Sequence, residues 1–539
     1  MRFFPAASLF ALAAPLLAAD GVDSAMVNRI VDEGMYRSEL PYIASYLTDR
    51  IGGRLTNSPQ MREAERWTQE QYRKWGLKNV RAEAFDFGRG WFIERTEARM
   101  VKPRVLPMRA IPIAWTPGTA GTLSAPVIVA PMKRAKDFAR WKGQLRGKIV
   151  LISRPIEGTE PDKAPFVRYT DEELKKLDAY PQPTHSEAVQ RKALEHAKFE
   201  AQRDAFLAEE GALAWARQSY RDGGLLHGQG HLFQVGNTAK LPGIDLAAED
   251  YRRLARLAKQ GEAPTLELTS MVHFTDDDHN AYNILADLPG RDAKAGYVMA
   301  GAHLDSWVAA DGAQDNAAGS AVVMEAARIL SKLGVRPKRT IRFALWSGEE
   351  QGLLGSMAYV ERHLAERPPV NDPEKAKLGA NYTWHTRWPI TPKPGSKDLA
   401  AYFNVDSGSG KLRGIYTEGN VAVVPIFREW LAPFASMGAT AVVSQRKGGS
   451  DHVVMQHVGI PAFNFIQDPL DYRSRIHHSS VDTYDHLKIA DLKQAVVILA
   501  SVLWMSAERD QALPRMPVLR KLSDTSPFAY EDEDEDWED

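Results

Sequence analysis

The chain has 539 residues, 44% apolar and 25% charged, with 68 Lys and Arg against 69 Asp and Glu for a net charge of −1. These are the proportions of a soluble globular protein long enough for roughly two or three domains. They leave no broad electrostatic case for nucleic acid or an anionic membrane, and the absence of cysteine excludes thiol catalysis, Cys-ligated zinc and a lipoprotein anchor.

The N-terminus reads MRFFPAASLFALAAPLLAAD. One Arg, an apolar run and small residues at Ala18 and Ala19 read as a secretory signal peptide over residues 1–19. The run is short for a membrane span; an uncleaved anchor is the alternative. Beyond it no stretch approaches the roughly 20 apolar residues a spanning helix needs, so no stable membrane anchor is expected. Export without disulfides points to a secreted or bacterial periplasmic protein.

Residues 20–100 read as helical, then extended; MREAERWTQEQYRKWGL has helical spacing and stops at Gly76. Residues 101–274 change character. TLSAPVIVAP and GKIVLISRP are short β-rich runs. A Pro-rich loop near Tyr180–Thr184 and a long helix, SEAVQRKALEHAKFEAQRDAFLAEEG, follow. This block reads as a separate inserted module. Over residues 275–510 strand, loop and helix alternate. YVMAGAHLDS, TIRFALWS, AAYFNVDS and PAFNFIQD are buried-type strands, and NAAGSAVVMEAARILSKLG is an amphipathic helix. This rhythm predicts an α/β fold, a mixed, mostly parallel sheet flanked by helices, whose ligands bind beyond the carboxyl ends of the strands. Residues 511–539 form an extension ending in EDEDEDWED, a self-repelling tail expected to be disordered.

The carboxyl ends of those strands are where chemistry-bearing residues collect. The first ends in His303 and Asp305, and Asp315 follows where a helix starts. The second ends in Glu349 and Glu350, inside LWSGEEQGLLGS; the third ends in Asp406; His478 follows the fourth. Two histidines with several carboxylates suit zinc or another borderline divalent ion. The excess of carboxylates over one four-coordinate site suggests two metals sharing a bridging carboxylate.

HLDSW, GAQDNAAGS, LWSGEEQGLLGS, NVDSGSG, SDH and HHSSVDTYDHL, in that order, resemble the co-catalytic di-zinc metallopeptidases, the secreted aminopeptidases and their plasma glutamate carboxypeptidase-like relatives. The resemblance covers about residues 284–507 and extends to YLTDRIGGRLTNSPQ near the N-terminus. The middle block resembles a protease-associated domain, from which its long helix departs. The resemblance implies two zinc ions per chain, with Asp315 between them. It implies His303 and Asp406 at one ion, Glu350 and His478 at the other, and Glu349 as general base. Asp305 would stand behind His303 and hold its imidazole. A cis peptide is implied at Asp315–Asn316. Glu349 and Glu350, read as neighbours in an extended segment, would point to opposite sides.

Other residues keep two readings. His477 competes with His478 as ligand, the spacing to Asp482 favouring His478. Asp482 reads as a loop support. Asp451 and His452 shape a substrate pocket or merely stabilise a loop. Tyr472 and Arg473 contact substrate or lie on the surface. Trp307 and Trp346 read as packing, and His227 and His231 as loop histidines rather than a second metal site. The expected activity is exopeptidase cleavage of peptides with a free N-terminus, by an aminopeptidase or dipeptidase. The inserted module would cover one side of the site, and a homodimer is compatible with the helix faces. The rivals are a glutaminyl cyclase-like or other metal amidase with one zinc, and a non-catalytic binding protein on a peptidase scaffold.

Overall fold

The computed structural model describes residues 22–518 except 159–162, 180–186, 232, 234–237, 374, 378–382 and 385–386. The signal-peptide segment, the Pro-rich loop and the acidic tail lie outside the described residues. In chain order the strands are β1 (Lys78–Asp86), β2 (Gly90–Lys102), β3 (Leu106–Met108), β4 (Ala110–Pro112), β5 (Leu123–Val129), β6 (Ile149–Leu151), β7 (Ala214–Gln218), β8 (Gly243–Leu246) and β9 (Thr265–Thr275). There follow β10 (Asn280–Leu288), β11 (Tyr297–His303), β12 (Thr340–Trp346), the short pair β13 (Ala365–Glu366) and β14 (Thr391–Pro392), β15 (Leu399–Asn404), β16 (Leu412–Tyr416), β17 (Ala441–Val443) and β18 (Ala462–Gln467).

The first sheet runs β1-β10-β12-β11-β15-β18-β16-β17. Its centre, β12-β11-β15-β18, is parallel, and antiparallel pairs flank it. The parallel strands are buried almost throughout, as a sheet covered on both faces requires. Helix Ala318–Lys332 and helix Ile489–Glu508 pack together against one face, with helix Ser24–Tyr36 outside them. Contrary to the expectation from sequence, Ile489–Glu508 is long and apolar enough to span a membrane by length and composition, with mean hydropathy 1.5. It is instead the core helix of this layer, and 83% of its apolar window is buried. Buried Glu33 on the outer helix takes Arg328 at 3.0 Å, Lys332 at 2.8 Å and Arg37 at 2.8 Å.

The second sheet runs β3-β2-β9-β5-β6-β7-β8-β4 and belongs to the inserted module. It begins at Gly90, upstream of the expected residue 101, because β2 pairs along its length with β9, from Gly90 opposite Thr275. In the first sheet Asp86 stands opposite Asn280. The module therefore leaves and returns side by side at the tip of the β1/β10 pair. In helix Glu187–Glu209, Phe199, Phe206 and Leu207 pack with Phe138, Trp141 and Trp215 beside β6 and β7.

Candidate metal centre

The register of the first sheet sets the site. His303 lies opposite Trp346, and Gly301 opposite Asn404, so β11, β12 and β15 end level. The residues just beyond each end must then meet. His303 Nε2 is 3.3 Å from Asp315 Oδ1 and 3.4 Å from Asp406 Oδ1. Glu349 Oε2 is 4.0 Å from the same nitrogen. His478 Nε2 is 3.0 Å from Glu350 Oε2 and 3.3 Å from Asp315 Oδ2. Asp315 thus turns one oxygen to each imidazole, and it starts the segment from which helix Ala318–Lys332 grows. The Asp315–Asn316 peptide is cis, the isomer implied by the resemblance.

These groups are buried with little to neutralise them. Burial lifts the Glu350 carboxyl to about 7 and Glu349 well above the carboxylate range. His478 is held up at about 9, because Glu350 and Asp315 outweigh the burial that opposes its charge. Asp315 Oδ2 and Glu350 Oε1 are buried and make no hydrogen bond. The described residues offer two donor sets, each with its donor atoms within 4.8 Å of one another: His303, Asp315 and Asp406, and Asp315, His477 and His478. Unpartnered carboxylate oxygens beside imidazole nitrogens fit a divalent cation, and this mix of N and O donors fits zinc.

Glu349 and Glu350 do not sit on an extended segment as expected. They open a turn in which the Gly352 and Leu353 amides donate to the Glu349 carbonyl, at 2.8 and 2.9 Å. Both amides of the pair face one acceptor: Glu349 N donates to Asp305 Oδ1 at 3.3 Å and Glu350 N to Asp305 Oδ2 at 3.2 Å. The role expected of Asp305 changes accordingly. Its backbone carbonyl, 3.0 Å away, accepts from His303 Nδ1; its carboxylate is 3.7 Å from that nitrogen and aligns the Glu349–Glu350 turn. The Nδ1 contact still leaves Nε2 facing the acids.

His477 Nε2 lies 3.8 Å from Asp315 Oδ2, farther than His478, and its ring stacks on His478 at 3.7 Å. Asp482 is buried and braces Asp315 directly, accepting from the Gln314 amide at 2.6 Å and the Asp315 amide at 3.1 Å. Asp451 is buried beside the centre, where it accepts from the Ser356 hydroxyl and burial pushes it up to about 7. His452 points elsewhere, to the Lys447 carbonyl at 2.7 Å and Glu418 at 3.4 Å. The Tyr472 ring packs edge-on against His477 at 5.2 Å, whereas Arg473 is exposed. Trp346 packs in the core and donates to Tyr402 at 2.7 Å. Trp307 stands edge-on to His478 at 6.2 Å and lines a small cavity with Ala309, Ala310, Glu350 and His478. His227 and His231 are apart in role: His227 Nδ1 contacts Ser219, and His231 Nδ1 is 3.4 Å from Glu200.

Two contributors were not foreseen. The module's glycine-rich loop reaches the centre, where Gly228 N donates to the His478 carbonyl at 2.9 Å and Ser480 N to the Leu226 carbonyl at 2.8 Å. Arg221 donates to the carbonyls of His477, at 2.9 Å, and Arg473, at 2.6 Å. Arg54, in the quoted GGRLTN, lies fully buried under the site. An arginine directly after a glycine pair was its only signal.

Comparison with known proteins follows the same lines. Residues 283–503 match the profile of Peptidase family M28. Carboxypeptidase Q of Mus musculus is 25% identical over 499 residues, covering 92% of this chain and 91% of its own length. In fold, the chain is similar to a peptidase M28 precursor from Shewanella amazonensis, with TM-score 0.63, 23% identity and coverage of 92% of this chain and 98% of that one. It is also similar to a zinc aminopeptidase from Bacillus subtilis, with TM-score 0.54, 21% identity and coverage of 88% and 95%.

Proposed function

We propose, for a chain whose residues 283–503 belong to peptidase family M28, that it is a secreted exopeptidase using two zinc ions on short peptides with a free N-terminus. The carrying observation is the placement of Asp315, whose two oxygens lie 3.3 Å from His303 Nε2 and 3.3 Å from His478 Nε2. His303 and Asp406 would hold one ion, Glu350 and His478 the other, and Asp315 both. Zinc so held would lower the pKa of water and polarise a peptide carbonyl. Glu349, whose Oε2 lies 4.0 Å from His303 Nε2, would take the proton from the attacking water and return it to the leaving amine. Carboxypeptidase Q and the zinc aminopeptidase differ in the direction their names state; aminopeptidase or dipeptidase action is the reading proposed here.

The test is metal content per chain, with hydrolysis of a leucine anilide, dipeptides and an N-acetylated peptide. Two zinc ions, cleavage of free-amine substrates only, and its loss in Glu349→Gln are expected. One ion with amidase or cyclase activity, or none with no cleavage, would overturn the reading.

A further inference from the structure

We infer that Arg54 is a positioning residue that ties together the two segments bearing the zinc ligands; this rests on the two-zinc reading. Among the described residues its guanidinium donates only to backbone carbonyls. Nε reaches Leu304 O at 2.7 Å; Nη1 reaches Asp311 O at 2.8 Å, Gly52 O at 2.9 Å and Leu47 O at 3.1 Å; Nη2 reaches Gly312 O at 2.9 Å. Its main chain pairs with Ser306 in both directions: Arg54 N donates to Ser306 Oγ at 3.0 Å and Ser306 N to Arg54 O at 3.1 Å.

Leu304 and Ser306 flank Asp305 just beyond His303. Asp311 and Gly312 lead into Asp315. The planar fork of Arg54 therefore spans the gap between the β11 end and the helix-start segment. Asp482 closes the far side of the same segment through the Gln314 and Asp315 amides. No carboxylate forms an ion pair with Arg54 among the described residues, yet Asp305, Asp311, Asp315 and Asp482 surround it. A cation spent on carbonyls here fixes geometry with its hydrogen bonds and offsets buried acid with its charge. Lysine would keep the charge and lose the fork, since an ammonium has three donors on a flexible stem.

The experiment compares wild type with Arg54→Lys as full-length proteins. Zinc affinity is read by competition with a chromophoric chelator, and amide hydrogen exchange is read on the zinc-free chain. Arg54→Lys should weaken at least one zinc by about 10–100-fold, as loss of a partner behind a ligand does. It should lower kcat with KM little changed. Exchange should speed up at residues 304–316 while helix Ile489–Glu508 keeps its protection. Native zinc affinity and native exchange in the variant would overturn the inference. So would uniformly faster exchange across both regions, which marks a general loss of stability. Wild-type protein that takes up no zinc would overturn the two-zinc reading instead, and the exchange pattern would still decide whether Arg54 ties the two segments.

Discussion

Glu349 and Glu350 are adjacent in sequence and separate in chemistry because Asp305 holds their amides and leaves their side chains to different neighbours. Glu349→Gln removes a proton carrier without removing a ligand. It should lower kcat by about 10²–10⁴-fold at unchanged zinc content, checked by turnover and metal analysis on one preparation. His478→Ala should release one zinc, whereas His477→Ala should retain both, because His478 lies 3.0 Å from Glu350 and 3.3 Å from Asp315 while His477 is 3.8 Å from Asp315. Equal zinc loss in the two variants would reverse that assignment. The acids and imidazoles were legible in the sequence because each follows a strand whose end could be read. The use of Asp305 and Arg54 was not. Both act on backbone amides and carbonyls of other segments, and a carbonyl carries no side-chain signature.

Among the elements, helix Ala318–Lys332 carries the most consequence, since it grows from the Asp315 segment and leans on Glu33. Glu33 sits between Arg37, Arg328 and Lys332, which outweigh its burial and hold its carboxyl down at about 2 from 4.5. A folded-state value below the unfolded one stabilises the protein above about pH 4.5, and that contribution fades as pH falls toward 2. Glu33→Gln should therefore cost on the order of 2 kcal/mol near pH 7 and much less near pH 3. Chemical denaturation at the two pH values measures the difference. The loop carrying Gly228 has little room to spare: a Cβ there would meet Trp307 Cβ at 2.5 Å. Gly228→Val should cost about 1–3 kcal/mol by overpacking and loosen the zinc beside His478. Titration of zinc into the stripped variant would show it. The turn holding the glutamate pair was misread as extended because Gly348 and Leu353 adopt positive φ, +70° and +62°, and nothing in the side chain of Leu353 announces that.

The alternation of strands and helices past residue 275 was enough to read the buried central strands β11, β12, β15 and β18 of the first sheet, but not β10, β16 or β17 beside them. The module's near edge was not, since β2 looks like any exposed strand until β9 pairs with it. Nor was its grip on the loops that carry the candidate ligands. Besides the Gly228 and Arg221 contacts, Val167 pairs with Leu470 through two 2.8 Å hydrogen bonds, and Arg168 bonds Asp468 at 2.9 Å and Asp491 at 2.7 Å. Leu174 packs with Tyr416, Val443 and Ile466. The stretch from 468 to 480 is thereby clasped from two directions. Deleting the module should abolish cleavage of short and long peptides alike, rather than admit longer ones; peptides of graded length assayed on the deletion protein would distinguish these outcomes.

Asp86 and Asn280 face each other where the module departs. A short turn joining them would close an ordinary hairpin and leave every ladder of the first sheet intact. In evolutionary terms this is a single crossover point, where recombination could exchange the module, the cargo of the hairpin, without disturbing His303, Asp315, the glutamate pair or Asp406. His478 is the exception, because its loop is fastened to the cargo. An inherited exchange would have to bring a matching 468–480 loop with it, so those two stretches should change together across descendants while the strand-borne ligands stay fixed.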